Sequence, residues 1–145
     1  LVVLPDSDIA SVDDLSGVIV GAQDGTTGET YANDETEASE VRGFPEGPDA
    51  LAALKTGQVE AVIIDLPVAI DALDKQGGFE IAEEIPTGEF YGYAVGPDAP
   101  NLLAGINDAL AKLVEDGTYA EIYGEYFDSE PPESIGQETN DLADD

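Results

Sequence analysis

The sequence holds no cysteine, histidine, methionine or tryptophan, and its only basic residues are Arg42, Lys55, Lys75 and Lys112. Without cysteine there is no disulfide framework, thiol nucleophile or thiolate-held metal. Without histidine, a Ser-His-Asp triad and a histidine-ligated zinc are excluded too. Together these absences remove most enzyme classes. Long apolar runs are also lacking: no stretch approaches the roughly 18 residues of a membrane span, and none reads as a signal peptide. Leu1-Val2-Val3-Leu4 reads as a strand already under way, which predicts a processed product or a fragment.

What is abundant is acid. Across 145 residues there are 33 Asp and Glu for a formal net charge of -29, spread along the whole length. Such a surplus repels nucleic acid and anionic membranes and repels itself at low salt. It predicts adaptation to a high-salt solvent ahead of a basic partner or calcium binding. The hydrophobic fraction of 42% falls in strand-like and helix-like runs, so the chain is expected to fold into one core or two small lobes. Internal repeats are absent.

After a polar turn at residues 5–8, Ser11 is expected to cap a single helical turn that ends at Gly17. Val18-Ile19-Val20-Gly21-Ala22 is apolar on both faces, as suits a parallel strand covered on each side by helices. Gln23-Asp24-Gly25-Thr26-Thr27-Gly28 then turns into a helix through Glu29 to about Asn33. The acidic stretch 34–40 reads as solvated surface and 41–44 as a short strand. Pro48 suits the first turn of a helix with Ala50, Leu51, Ala53 and Leu54 inward and Gly57 as its stop.

Val59-Glu60-Ala61-Val62-Ile63-Ile64 is a second buried strand ended by Asp65, and Leu66-Pro67 opens a helix that breaks at Gly77-Gly78. This alternation is that of a parallel α/β layer. Residues 79–85 and 90–95 read as further strands. The longest helix, 101–115, is expected to bury Leu102, Leu103, Ile106, Leu110, Leu113 and Val114. Thr118 is expected to cap a last helix to about Phe127, with Tyr119, Ile122, Tyr123 and Tyr126 packed in a core, before an acidic tail.

Parallel α/β sheets bind ligands beyond the carboxyl ends of their strands, and both the 23–28 turn and Asp65 fall at such ends. The two glycines of the turn let the backbone bend and approach a ligand, while Thr26 and Thr27 bring hydroxyls and helix-start amides that suit a carboxylate. Asp65 suits a cation, so the pair suits a zwitterion. Local grammar leaves other roles open: a threonine N-cap in an ordinary loop, a helix cap for Asp65, and a polar strand end for Gln23.

Taken together, Gln23 to Tyr31, the segment 50–65 ending in Val-Glu-Ala-Val-Ile-Ile-Asp, the Tyr91-Gly92 strand, and Asp116-Gly117-Thr118-Tyr119-Ala120-Glu121-Ile122-Tyr123 resemble the polar amino-acid-binding proteins of ATP-driven (ABC) importers. The likeness runs in order from about Leu1 to Phe127. It implies an α/β fold of the type II periplasmic-binding-protein kind, in which two lobes joined by crossover strands close on a free amino acid. The implied layout is a first crossover at 1–4, the whole second lobe at 5–89, the return crossover at 90–93, the C-terminal helices of the first lobe at 94–127, and a disordered acidic tail at 128–145. The resemblance also implies that Thr27, with Thr26 and Gly28 beside it, receives the ligand carboxylate, that Asp65 pairs with the α-ammonium, and that Gln23 touches the ligand where specificity varies.

The family's arginine clamp and flanking aromatics, which belong to the front of the first lobe, are not in this sequence. The cleft is therefore expected to have one wall, and this chain alone to bind weakly or not at all. Ser16-Gly17-Val18 departs from relatives that carry a lysine after the glycine, a surface change away from the site.

The implied protein is an extracellular or periplasmic receptor, monomeric, with no cofactor or metal. Its partners would be a free amino acid and the permease subunits of an ABC transporter, and any lipid anchor would lie upstream. Two alternatives share the fold: a sensor lobe of a signalling receptor, and a dehydratase-type enzyme relying on Asp65 or Glu89.

Overall fold

A computed structural model describes residues 1–87, 91–127, 130, 131 and 135. The chain divides into two compact units, residues 1–88 and 89–145.

The first unit is built on a five-stranded sheet. Its strands are β1 (Val2–Val3), β2 (Ile19–Gln23), β3 (Glu40–Phe44), β4 (Ala61–Ile63) and β5 (Glu80–Ile81), in spatial order β3-β2-β4-β1-β5. β2 pairs in parallel with β3 (Val20 opposite Val41) and with β4 (Ala22 opposite Ile63). β1 lies antiparallel to both β4 and β5. The helices are α1 (Thr27–Asp34), α2 (Gly47–Lys55) and α3 (Leu66–Gln76), with a 3-10 turn at Val12–Leu15.

Alternation along the strands sorts the core into two layers. Val2 and Val62 face a cluster with Leu51 and Leu54 of α2 and Ala69 and Ala72 of α3. Their strand neighbours Leu1, Val3, Ala61 and Ile63 face the other way, onto Leu15 and Ala32. The sheet is thus covered on both faces, which is why β2 and β4 read as continuous apolar runs rather than alternating ones.

The 3-10 turn is closed by the Asp14 carboxylate, which accepts the amides of Ala10 and Ser11, both at 3.0 Å. Those two amides hold the Asp14 carboxyl below its ordinary range. β5 is shorter than the expected 79–85, because its partner β1 offers only two paired residues. Beyond the ladder, contact continues through single bonds: the Ala82 amide to the Leu1 carbonyl at 2.9 Å and the Leu1 nitrogen to the Glu83 carbonyl at 2.7 Å.

The second unit contains α4 (Pro100–Glu115) and α5 (Thr118–Tyr123). Four expectations change here. Residues 91–95 form no strand, since a strand exists only within a ladder and no strand lies in this unit among the described residues; Phe90 and Glu89 lie outside those residues. The apolar stripe of α4 is not buried: Leu102 is 57% exposed, Leu103 42%, Leu113 37% and Val114 40%, while Ile106 and Leu110 are half-buried along an open groove of about 270 Å³. Two helices supply too little second layer to cover it.

Thr118 is the first residue of α5 and not its cap. That position belongs to Gly117, whose φ of +84° favours glycine, and the Thr118 amide donates to Asp116 Oδ1 at 3.0 Å. Tyr119, Tyr123 and Phe127 stack along one side of α5, with ring centroids 6.1 and 4.4 Å apart, whereas Ile122 and Tyr126 stay exposed instead of joining a core. Of the expected tail, only residues 130, 131 and 135 are described.

Candidate functional site

β2, β3 and β4 run in parallel, so their carboxyl ends at Gln23, Phe44 and Ile63 reach one edge of the sheet. At that edge the chain leaves β2 through a turn held by its own polar groups. The Asp24 amide donates to the Phe44 carbonyl at 2.8 Å, and Gly25 takes φ +71° with its amide on Glu29 Oε2 at 2.8 Å. Thr26 caps α1: its hydroxyl donates to the Gln23 carbonyl at 2.8 Å and accepts the Glu29 amide at 3.3 Å, and its carbonyl accepts the Thr30 amide at 3.1 Å. The hydroxyl of Thr26 is therefore committed to the fold.

That leaves the amides of Thr27 and Gly28 and the Thr27 hydroxyl as first-turn donors that no group among the described residues takes up. Thr27 is exposed and Gly28 half-buried. Gly28 is pressed against the end of β4, where a Cβ would lie 3.3 Å from the Ile63 carbonyl oxygen. The start of α1 is thus brought to within two residues of Asp65.

Asp65 occupies the N-cap position of α3, and its carbonyl accepts the amides of Val68 and Ala69 at 3.0 and 3.1 Å. Its carboxylate makes no capping hydrogen bond. The side chain is half-buried, and the cations of this unit are engaged elsewhere: Arg42 with Glu40 at 2.8 Å, Lys75 with Asp71 at 2.7 Å, and Lys55 over the Phe79 ring at 4.4 Å. No ion pair among the described residues involves Asp65, so its charge is open to a cationic ligand group.

Gln23 ends β2, half-buried, on the face covered by α2. Its Oε1 lies 3.4 Å from where a Cβ of Gly47 would stand, and Ile64 Cδ1 lies 2.7 Å from that same point. Gly47 opens α2 and is buried. Sequence reasoning passed over Gly47 and Ile64. Neither announces itself locally: the cap position of α2 is taken by Glu46, and Gly47 is simply its first helical residue.

The edge therefore combines unengaged amides and a hydroxyl from one helix start with a lone carboxylate from the next strand. Those are complementary to the two charges that an α-amino acid carries one carbon apart. Among the described residues no group of three or more Asp and Glu is placed to hold a metal ion, and no helix is long and apolar enough to cross a membrane.

Known proteins share this fold. No family model matches the chain. The ABC transporter arginine-binding protein 1 of Escherichia coli is 32% identical over 119 residues, covering 79% of this chain and 49% of that protein. An ancestral arginine-binding protein bound to glutamine superposes with a TM-score of 0.71 at 36% identity, covering 88% of this chain and 58% of that one. Domain 2 of TmArgBP is 31% identical with a TM-score of 0.53, and the match covers 58% of this chain and 92% of that domain.

The chain belongs to the amino-acid-binding proteins of ABC transporters. Its α/β architecture is that of a type II periplasmic-binding lobe, and it spans about half the length of the curated relatives it matches.

Proposed function

We propose that this chain forms one wall of the cleft of a solute-binding protein, which captures a polar amino acid outside the cytoplasm and hands it to the permease of an ABC transporter. In this reading Thr27 and Gly28 receive the ligand carboxylate, Thr26 holds them in place, Asp65 pairs with the α-ammonium, and Gln23 contacts the remainder. The layout behind it takes residues 5–89 as the ligand-facing lobe, with crossovers at 1–4 and 90–93. The observation that carries the reading is the half-buried Asp65 carboxylate, free of any cap bond and beside the unengaged start of α1. Isothermal titration of glutamine and of arginine into the protein with its natural flanking sequence tests it. Saturable heat with one site supports the reading, and absence of binding to any polar amino acid ends it.

The acid surplus extends the proposal to the solvent. At a formal net charge of -29 the chain repels itself, and only at molar ionic strength does the screening length fall to about 3 Å. Circular dichroism in molar KCl is expected to show the native α/β spectrum, which is lost on dialysis into dilute buffer and returns when salt is restored. A native spectrum that survives desalting would show that the charge is tolerated without screening.

A further inference from the structure

We propose that Gly47 is a positioning residue for ligand selectivity: the absence of a side chain there lets Gln23 and Ile64 share one space at the start of α2, and that fixes where the Gln23 amide lies at the cleft edge. The inference rests on the receptor reading above. Gln23 and Ile64 close two neighbouring parallel strands, and both sit on the face that α2 covers. Each comes within contact of the point where a Cβ of Gly47 would stand, Ile64 Cδ1 at 2.7 Å and Gln23 Oε1 at 3.4 Å.

The shorter distance is below normal carbon contact, so any side chain at position 47 must displace Ile64. What it meets is the terminal methyl of a flexible side chain and not backbone, so the displacement is absorbed by rotation and the fold persists. Backbone conformation at Gly47 does not demand glycine, since its φ is not among the positive ones. The space freed by the missing Cβ is therefore the property at stake. The displaced Ile64 is joined directly to Asp65, and Gln23 Oε1 borders the same space, so the change is passed to both residues at the cleft edge.

The test is the ratio of Kd for glutamine to Kd for arginine, measured by calorimetry on the protein with its natural flanking sequence, alongside thermal unfolding. Gly47→Ala is expected to change that ratio about tenfold, the scale of one methylene in a selectivity pocket. Removing the offending methyl by Ile64→Val in the same background is expected to restore it. A purely structural role would lower Tm and leave the ratio untouched, and that result overturns the inference, as does a ratio that Ile64→Val fails to restore.

Should Gly47→Ala alone not fold, the double variant must keep the wild-type ratio while Gln23→Ala loses it; an unchanged ratio in Gln23→Ala overturns the proposal. If the wild-type protein binds no polar amino acid, the receptor reading falls and this inference with it; if it binds others than these two, the ratio is taken between the two it binds most tightly. A selective wild type that is indifferent to position 47 defeats only the inference.

Discussion

Replacing Asp65 by asparagine is expected to weaken amino-acid binding by about 10- to 150-fold while leaving the fold intact. The magnitude follows from the roughly 1.5–3 kcal/mol of a hydrogen bond to a charged group, at about 1.4 kcal/mol per tenfold in affinity. The isosteric amide keeps the shape of the side chain and removes only the charge that answers the ligand ammonium. Because the carboxylate makes no cap bond to α3, its loss costs the helix nothing through that route, so Tm should hold. Calorimetry and thermal unfolding on the same preparation check both halves. Retained affinity would return Asp65 to an ordinary strand-end residue, and a large fall in Tm would show that it supports α3 after all.

Leu54→Ala is expected to destabilise the first unit by about 2–5 kcal/mol. Leu54 is 1% exposed on α2, in the cluster that joins α2 and α3 to the sheet. The cavity would open beneath the layer that holds the α2 start, and the two-residue strands β1 and β5 have little reserve to close over it. For a unit of this size the loss corresponds to a fall in Tm of roughly 10–30 °C. Thermal unfolding of wild type and variant in the same molar-salt buffer measures it. A fall within a few degrees would mean that the cluster collapses to fill the space.

The parts of this fold legible in the sequence were the local ones. The strand-turn-helix around Gly25 and Thr26 is written in adjacent residues: an apolar run, a glycine that takes positive φ, and a hydroxyl that caps. β2, β4 and α1 to α3 were foreseen to within a few residues for the same reason. Sheet order was not legible, because nothing near Val2 and Val3 says that they lie between β4 and β5; pairing across that distance is decided by the whole core. The stripe on α4 has helical spacing, but spacing says that a face is apolar and not that a partner covers it.

At the site, the proximity of the Thr27 helix start to Asp65 could be argued from the rule for parallel strand ends. Whether Asp65 caps its helix could not, since a capping and a ligand-facing aspartate have the same local sequence. The missing cap bond speaks against the first role, and the second is the proposal made above. Gly47 stayed hidden because a glycine announces nothing by itself. Its meaning comes from two side chains, Gln23 and Ile64, that lie far away along the chain.

The place of β1 bears on how the molecule is made. Its two residues come before nearly all of this unit in the chain, yet they are fastened on one side to Val62 and on the other to Glu80 and Ile81, and Leu1 meets Glu83 across 82 positions of chain. The nascent segment must therefore wait, apolar and unpaired, until nearly the whole unit has emerged. Such late closure of distant contacts slows folding and leaves a sticky edge open to other chains meanwhile. A dense coat of like charge is one protection against that interval.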